Sequence, residues 1–225
     1  MREVVDGVFE VGIGYVNVHL VVTDEGVVLV DTGLPGRSVR IGRALHEIGR
    51  KIGEVRTVLL THHHADHTGG LAEIRRRSGA RVVAHEADVA FITGAEQAVL
   101  RHPLLKLVSL MIGRPEPAAV DDVVTFDGYV PLPGFTALHT PGHTAGHLSF
   151  LLDRADGVLF AGDAAAGKRG GGVGSAPKMV SADLEEQARS FARLAGLEFD
   201  HAVFGHGPAV SGRAVERFRE LAAAS

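Results

Sequence analysis

Residues 58–70 read Val58-Leu59-Leu60-Thr61-His62-His63-His64-Ala65-Asp66-His67-Thr68-Gly69-Gly70. An apolar run of the kind that forms a buried strand delivers four histidines and a carboxylate to one place. Imidazole and carboxylate suit zinc, and also iron or manganese, whereas soft clusters require thiolates. The chain has no cysteine, so thiolate ligands, thiol nucleophiles and disulfides are all excluded. The stretch therefore predicts metal chemistry at the end of a strand.

Outward from it, three later places repeat the arrangement of a short apolar run followed by one possible ligand. They are His143 in Thr140-Pro141-Gly142-His143-Thr144, Asp163 in Ala161-Gly162-Asp163, and His206 in Gly205-His206-Gly207. Loops that leave strand ends carry chemistry because the sheet fixes the backbone while the side chains converge. Taken singly, Gly-His-Gly or Gly-Asp is an ordinary turn. Together with His62, His64, Asp66 and His67 they make a set large enough for two ions.

Around these loops the pattern is β-rich. Val8 to Val11, Val16 to Val22 and Val27 to Val30 read as strands between glycine turns. Ser38 to Ile48 and Gly70 to Arg77 read as helices, and Val55 to Leu60 and Arg81 to Ala84 as buried-type strands. The second half repeats the scheme: strands at Val123 to Phe126, Phe135 to His139, Leu148 to Leu152, Val158 to Ala161 and Ala202 to Phe204. Helices follow from Asp183 to Leu194, with Asp183 as N-cap, and from Gly212 to Ala223. Two such halves imply two facing sheets with helices outside, in one domain spanning residues 1–225.

Two segments stay open. Ala95 to Ile112 places Leu100, Leu104, Leu107, Val108 and Met111 on one helical face and reads first as a packed core helix, second as a lid or dimer face and last as a membrane contact. Gly167 to Gly174 is glycine-rich enough for a mobile loop, and Lys168 and Arg169 within it are candidates to meet an anionic substrate tail.

Taken in order, His62 to His67 with His143, Asp163 and His206 resemble the metallo-β-lactamase superfamily, whose His-x-His-x-Asp-His motif stands at His62 to His67. Val30-Asp31-Thr32-Gly33 is similar to the family's first-strand Asp-Thr-Gly turn. The resemblance implies a four-layer αββα sandwich. It implies one zinc at His62, His64 and His143, a second at Asp66, His67 and His206, and Asp163 bridging them. The full bridged set is most similar to glyoxalase II-like and lactonase-like hydrolases. It departs from β-lactamases that use cysteine or lack the bridging carboxylate, which disfavours antibiotic hydrolysis. Glyoxalase II enzymes bind glutathione with a helical C-terminal region, whereas one helix is expected here after His206, so glutathione thioester specificity is not expected.

The expected function is thus a dinuclear metal-dependent hydrolase that cleaves a thioester, ester or lactone with metal-bound hydroxide, with zinc as cofactor and iron or manganese as alternatives. Metal coordination lowers the pKa of water to about 7. Asp66 is the candidate proton shuttle as well as a ligand, and Asp31 the partner that orients a ligand histidine. The competing reading is a persulfide dioxygenase with one iron at His62, His143 and Asp163. A β-lactamase or a nuclease ranks lower. His63 reads as exposed or structural ahead of a support for a ligand, and His19, His46, His85, His102, His139, His147 and His201 read as surface or core residues, with His147 nearest the site.

A formal net charge of -4 and a pI near 6.3 exclude a general nucleic-acid binder. No apolar run reaches the length of a membrane span, and the charged start Met1-Arg2-Glu3 lacks a secretory core, which leaves a cytoplasmic protein as the expectation. Arg75-Arg76-Arg77 fans out by about 100° per residue and reads as a solvated face. The expected partner is a small-molecule substrate, with a homodimer possible.

Overall fold

A computed structural model describes residues 1–97, 103–175 and 178–224. Seven strands form the first sheet in chain order: β1 (Arg2–Val5), β2 (Val8–Ile13), β3 (Val16–Thr23), β4 (Gly26–Val30), β5 (Val55–Leu59), β6 (Arg81–His85) and β7 (Asp122–Val124). Pairing is antiparallel from β1 to β4 and parallel from β4 to β7. Parallel strands need crossovers. These are supplied by α1 (Val39–Glu47), the single turn α2 (Ala65–Thr68), α3 (Leu71–Ser78), α4 (Glu86–Ile92) and α5 (Pro103–Ile112).

The second sheet contains β8 (Phe135–His139), β9 (Leu148–Leu152) and β10 (Val158–Phe160). After the hairpin of β11 (Ala166–Lys168) and β12 (Gly172–Gly174) come β13 (His201–Val203) and β14 (Val210–Ser211). Its order is β14-β13-β10-β9-β8. Two outer helices, α6 (Leu184–Ala195) and α7 (Ala214–Ala223), cover it.

Three cores separate four layers, so the αββα architecture follows from which side chains each strand sends to which face. In β4, Val27 and Leu29 face Ile41, Leu45, Leu71 and Ile74 of the helices outside, while Val28 and Val30 face the second sheet. In β10, Val158 and Phe160 point inward and Leu159 packs outward with Phe191, Leu194 and Phe218. Strands buried on both faces carry apolar residues without polar alternation, which is why their sequences read as continuous runs.

The pairing also decides where the strands end. Strands β4, β5 and β6 are parallel. Both β8 and β10 run antiparallel to β9, and β13 runs parallel to β10. Within each sheet the C-terminal ends of β4, β5 and β6, and of β8, β10 and β13, thus share an edge, and the loops leaving β5, β8, β10 and β13 meet at one rim of the sandwich, the place where open α/β sheets bind ligands.

Expected elements shift by a residue or two, and a few differ in kind. The closing helix begins at Ala214, because Gly212 (φ 78°) and Arg213 (φ 56°) are left-handed and cannot belong to it. The Gly167 to Gly174 segment is an ordered hairpin instead of a loop. Its main chain is tied to the next loop by Gly167 N–H donating to the His206 carbonyl. Helix α5 turns Leu107, Leu110 and Met111 to solvent, so at these positions the core-helix reading fails. Leu100 and His102 lie outside the described residues. Arg75, Arg76 and Arg77 pair with Asp121, Glu116 and Glu73 on the surface, as a solvated face requires. Among the described residues, no helix is long and apolar enough to cross a membrane.

Candidate metal centre

All seven side chains singled out from the sequence converge at this rim. They fall into three overlapping groups: His62, His64 and His143; Asp66, His67 and His206; and His62, His67 and Asp163. Within each group the ligand atoms lie within 4.8 Å of one another. Asp163 sits between the first two groups. Its Oδ2 is 3.4 Å from His143 Nε2 and 3.2 Å from His206 Nε2, and its Oδ1 is 3.6 Å from His67 Nε2. Asp66 Oδ2 lies 3.6 Å from His206 Nε2, and His64 Nδ1 is 3.0 Å from His143 Nε2.

Hydrogen bonds behind these groups fix which nitrogen of each ring faces the centre. Asp31 Oδ1 accepts the Thr61 N–H, and its Oδ2 accepts both the Thr61 hydroxyl at 2.7 Å and His67 Nδ1–H at 2.8 Å. With its proton committed to Asp31, the Thr61 oxygen accepts from His62 Nδ1–H at 3.0 Å. His206 Nδ1–H donates to the Tyr15 carbonyl at 3.0 Å. In His62, His67 and His206 alike, Nε2 is the atom left for a ligand. Carboxylates that accept the far N–H of a ring and so set its tautomer are usual partners of metal-binding histidines, and Asp31 stands in that position behind His67.

The centre passes a direct test of fit. His62 Nε2, His67 Nε2 and Asp163 Oδ1 are buried and have no hydrogen-bond partner. Leaving such groups unpaired costs about 1–3 kcal/mol each, more when charged. Three within 4.8 Å of one another are explained at once if cations complete them, and a nitrogen–oxygen donor set without sulfur matches zinc, iron or manganese.

Electrostatics supports the same assignment. Burial and the neighbouring His67, His64 and His143 rings hold His62 well below the usual histidine range. Burial likewise depresses His143, and takes His64 and His147 down to about 4. For His67, burial is outweighed by the Asp163, Asp31 and Asp66 carboxylates, and its pKa is pushed up to about 10. Burial of Asp163 is likewise outweighed by the His67 charge, then by the His206 bond and His143, so this carboxyl lies far below the normal range. Metal-free protein thus neutralises its buried carboxylates with a proton on His67, in the place a cation would take.

Close packing holds the loops in place. A Cβ on Gly205 would collide with Asp163 Oδ1 and His67 Cε1, and one on Gly142 (φ 127°) with the Gln187 backbone at the start of α6. Ser190 of α6 donates to the Pro141 carbonyl at 2.7 Å, anchoring the loop that carries His143. The turn readings of Gly-His-Gly and Pro-Gly-His therefore have a steric cause.

His147 does reach the site's edge, as a backbone support. Its Nε2 accepts the Asp163 N–H at 2.9 Å, so its Nδ1–H faces Thr140 Oγ, which leads to Ser149 and the Ala161 carbonyl. His63 points away from the centre, stacked on Phe91 at 4.3 Å and 3.1 Å from Asp88 Oδ1. Lys168 and Arg169 are exposed on the β11–β12 hairpin, and the Lys168 stem lies along Gly174.

Sequence reasoning passed over Thr61, Thr140, Tyr15 and Asp88. Tyr15 stacks on His206 at 5.7 Å with planes 6° apart, and burial, then the Asp66 carboxylate, push its hydroxyl well above the usual tyrosine range. Asp88 lies in the first turn of α4, where an acidic residue is ordinary, so only its burial distinguishes it.

Comparison with known proteins gives the family of the chain. The profile of the metallo-beta-lactamase superfamily matches residues 11–206. The probable metallo-hydrolase YflN of Bacillus subtilis is 30% identical over 210 residues, covering 83% of this chain and 77% of its own length. A hydroxyacylglutathione hydrolase of Chromohalobacter salexigens is 30% identical over 183 residues, covering 80% of this chain but only 56% of its own length. Among solved structures, a metallo-beta-lactamase family protein from Thermus thermophilus superposes with a TM-score of 0.73 at 29% identity, over 99% of this chain and 80% of its own. With the match running from the second strand to the last histidine of the centre, the chain belongs to the metallo-beta-lactamase superfamily.

Proposed function

We propose that this chain, acting as one domain, is a dinuclear metal-dependent hydrolase of a thioester, ester or lactone, with zinc as the preferred ion. The observation that carries this reading is the trio of buried, unpartnered atoms on His62, His67 and Asp163, set inside two complete groups of ligands. His62, His64 and His143 would hold one ion, Asp66, His67 and His206 the other, and Asp163 would share both. When bound, the ions supply Lewis acidity, which makes nucleophilic water available near neutral pH and polarises a substrate carbonyl.

The chain's own residues do the rest. Asp31 and Thr61 keep the His67 and His62 rings turned inward, so no reorientation is required during reaction. His147 holds the Asp163 backbone from below, and the buried rings of His62 and His67 exclude bulk water from that side. Asp66 is more open than the other carboxylate, with 17% of its side chain exposed against 3% for Asp163. It is the carboxylate positioned to carry a proton at Oδ2 to a departing alcohol or thiol. A hydroxyacylglutathione hydrolase among the relatives favours thioesters, and Lys168 and Arg169 remain the candidates for an anionic tail.

Metal analysis of the protein as isolated, followed by assays on esters, lactones, thioesters and β-lactams, tests the reading. Two zinc ions per chain with turnover of an acyl substrate is the expected result. One iron per chain with oxygen uptake would replace it with the mononuclear dioxygenase reading.

A further inference from the structure

Asp88 belongs to no ligand group, yet it is 1% exposed and its carboxylate accepts three hydrogen bonds from two different loops. Oδ2 accepts the His63 N–H at 2.9 Å and the Thr144 hydroxyl at 3.0 Å. Oδ1 accepts the Gly146 N–H at 3.1 Å and lies 3.1 Å from His63 Nδ1. An ionised carboxylate has about four lone-pair sites and no proton to donate, so three hydrogen bonds and a fourth nitrogen at 3.1 Å surround it with donors only. The approach is close: a Cβ on Gly146 would stand 2.6 Å from Asp88 Oδ1.

What the two loops carry gives the contact its meaning. His63 is flanked by His62 and His64, and Thr144 follows His143. These three flanking histidines are the first ligand group, the one that must draw its nitrogens from both loops. The second group, Asp66, His67 and His206, takes nothing from the Thr140 to His147 loop. We propose that Asp88 is a positioning residue that sets the spacing between the His62–His64 loop and the His143 loop, and so selectively sets the affinity of the first metal site. The inference rests on the dinuclear reading above for its contrast between sites.

Asn cannot take over this role. Its amide nitrogen would face either the His63 N–H or the Gly146 N–H, donor against donor, whichever way it is turned. In Asp88→Asn the His62, His64 and His143 site should lose affinity about 10- to 100-fold, the range for an outer-shell partner of a metal site, while the second site is unchanged. Zinc-loaded protein titrated with a chelator should then pass from two ions to one at concentrations that leave wild type full. Thr144→Val removes only one of the donors, keeps the volume, and should give a smaller loss at the same site. It serves if Asp88→Asn does not fold. Metal-free melting temperature should fall in Asp88→Asn, which buries two facing donors, and less in Thr144→Val, while the second ion stays bound in both.

Retention of both ions with wild-type affinity in the two variants would overturn the proposal. So would loss of both ions together in step with a large fall in metal-free stability, since that is a merely structural effect. If wild type itself holds one ion, the dinuclear reading fails, and weaker binding of that ion in Asp88→Asn and Thr144→Val still decides for the clamp, unchanged binding against it.

Discussion

At the scale of single residues, the centre is organised by which ring nitrogen keeps its proton. Asp31 takes the Nδ1–H of His67 and, through Thr61, fixes that of His62. Asp31→Asn retains the shape but presents an amide to at least one donor, so metal affinity should fall roughly 10- to 100-fold. Competition with a chelating dye measures this, and unchanged affinity would remove Asp31 from the role. His67 gives a second expectation. Its pKa near 10 means that metal-free protein carries this proton at neutral pH, and a metal must expel it from Nε2. Calorimetry in buffers of different ionisation enthalpy should register release of at least one proton per chain near neutrality. Release of none would exclude His67 as a ligand.

At the scale of elements, the work is done by loops whose shape depends on glycine. Gly205 lies where β13 ends, and its α-carbon is packed against Asp163 and His67. Gly205→Ala should therefore abolish binding of at least one ion and most activity. Gly42, inside α1 with open space around it, should instead stabilise the protein by up to about 1 kcal/mol when changed to Ala, with metal content unaffected. Metal analysis and thermal denaturation separate the two cases. The same contrast marks how far sequence reads. Strands buried on both faces, such as β4, β5 and β10, announce themselves by unbroken apolar runs, and Asp183 caps α6 as expected by accepting from Glu185 and Glu186. The turn α2 and the helix α4 were missed because they are too short to show a period, and the β11–β12 hairpin because its glycines carry no alternating pattern. The seven candidate ligands were legible because histidine and aspartate after apolar runs are chemically unusual. Asp88, Thr61 and Thr140 were not, because a buried carboxylate or hydroxyl that supports another residue looks like any polar residue until the loops are folded together.

At the scale of the whole molecule, the centre lies between the two sheets and joins them, so its ions and protons act on global stability. In metal-free protein, His67 has its pKa raised from 6.5 to about 10; the stability it contributes is fully present below 6.5 and is lost as pH rises through about 10. His64 and His147 go the other way. They stay neutral in the fold down to about 4 while the unfolded chain takes up protons below 6.5, so stability falls as pH drops from 6.5 towards 4. Metal-free protein should thus be most stable near the ordinary histidine pKa and decline on both sides. Bound ions remove the alkaline loss, because they need His67 deprotonated and gain affinity as pH rises. An ion present at about a thousand times its dissociation constant adds about 4 kcal/mol, and a protein of this size shifts by about 2–4 °C per kcal/mol. Each ion should then raise the melting temperature by roughly 8–16 °C. Melting curves with and without chelator across the range from mildly acidic to alkaline pH should show a gap that widens as pH rises. A gap that is absent, or that narrows towards alkaline pH, would mean that the cations do not displace the His67 proton, and the two sheets would then be joined by packing alone.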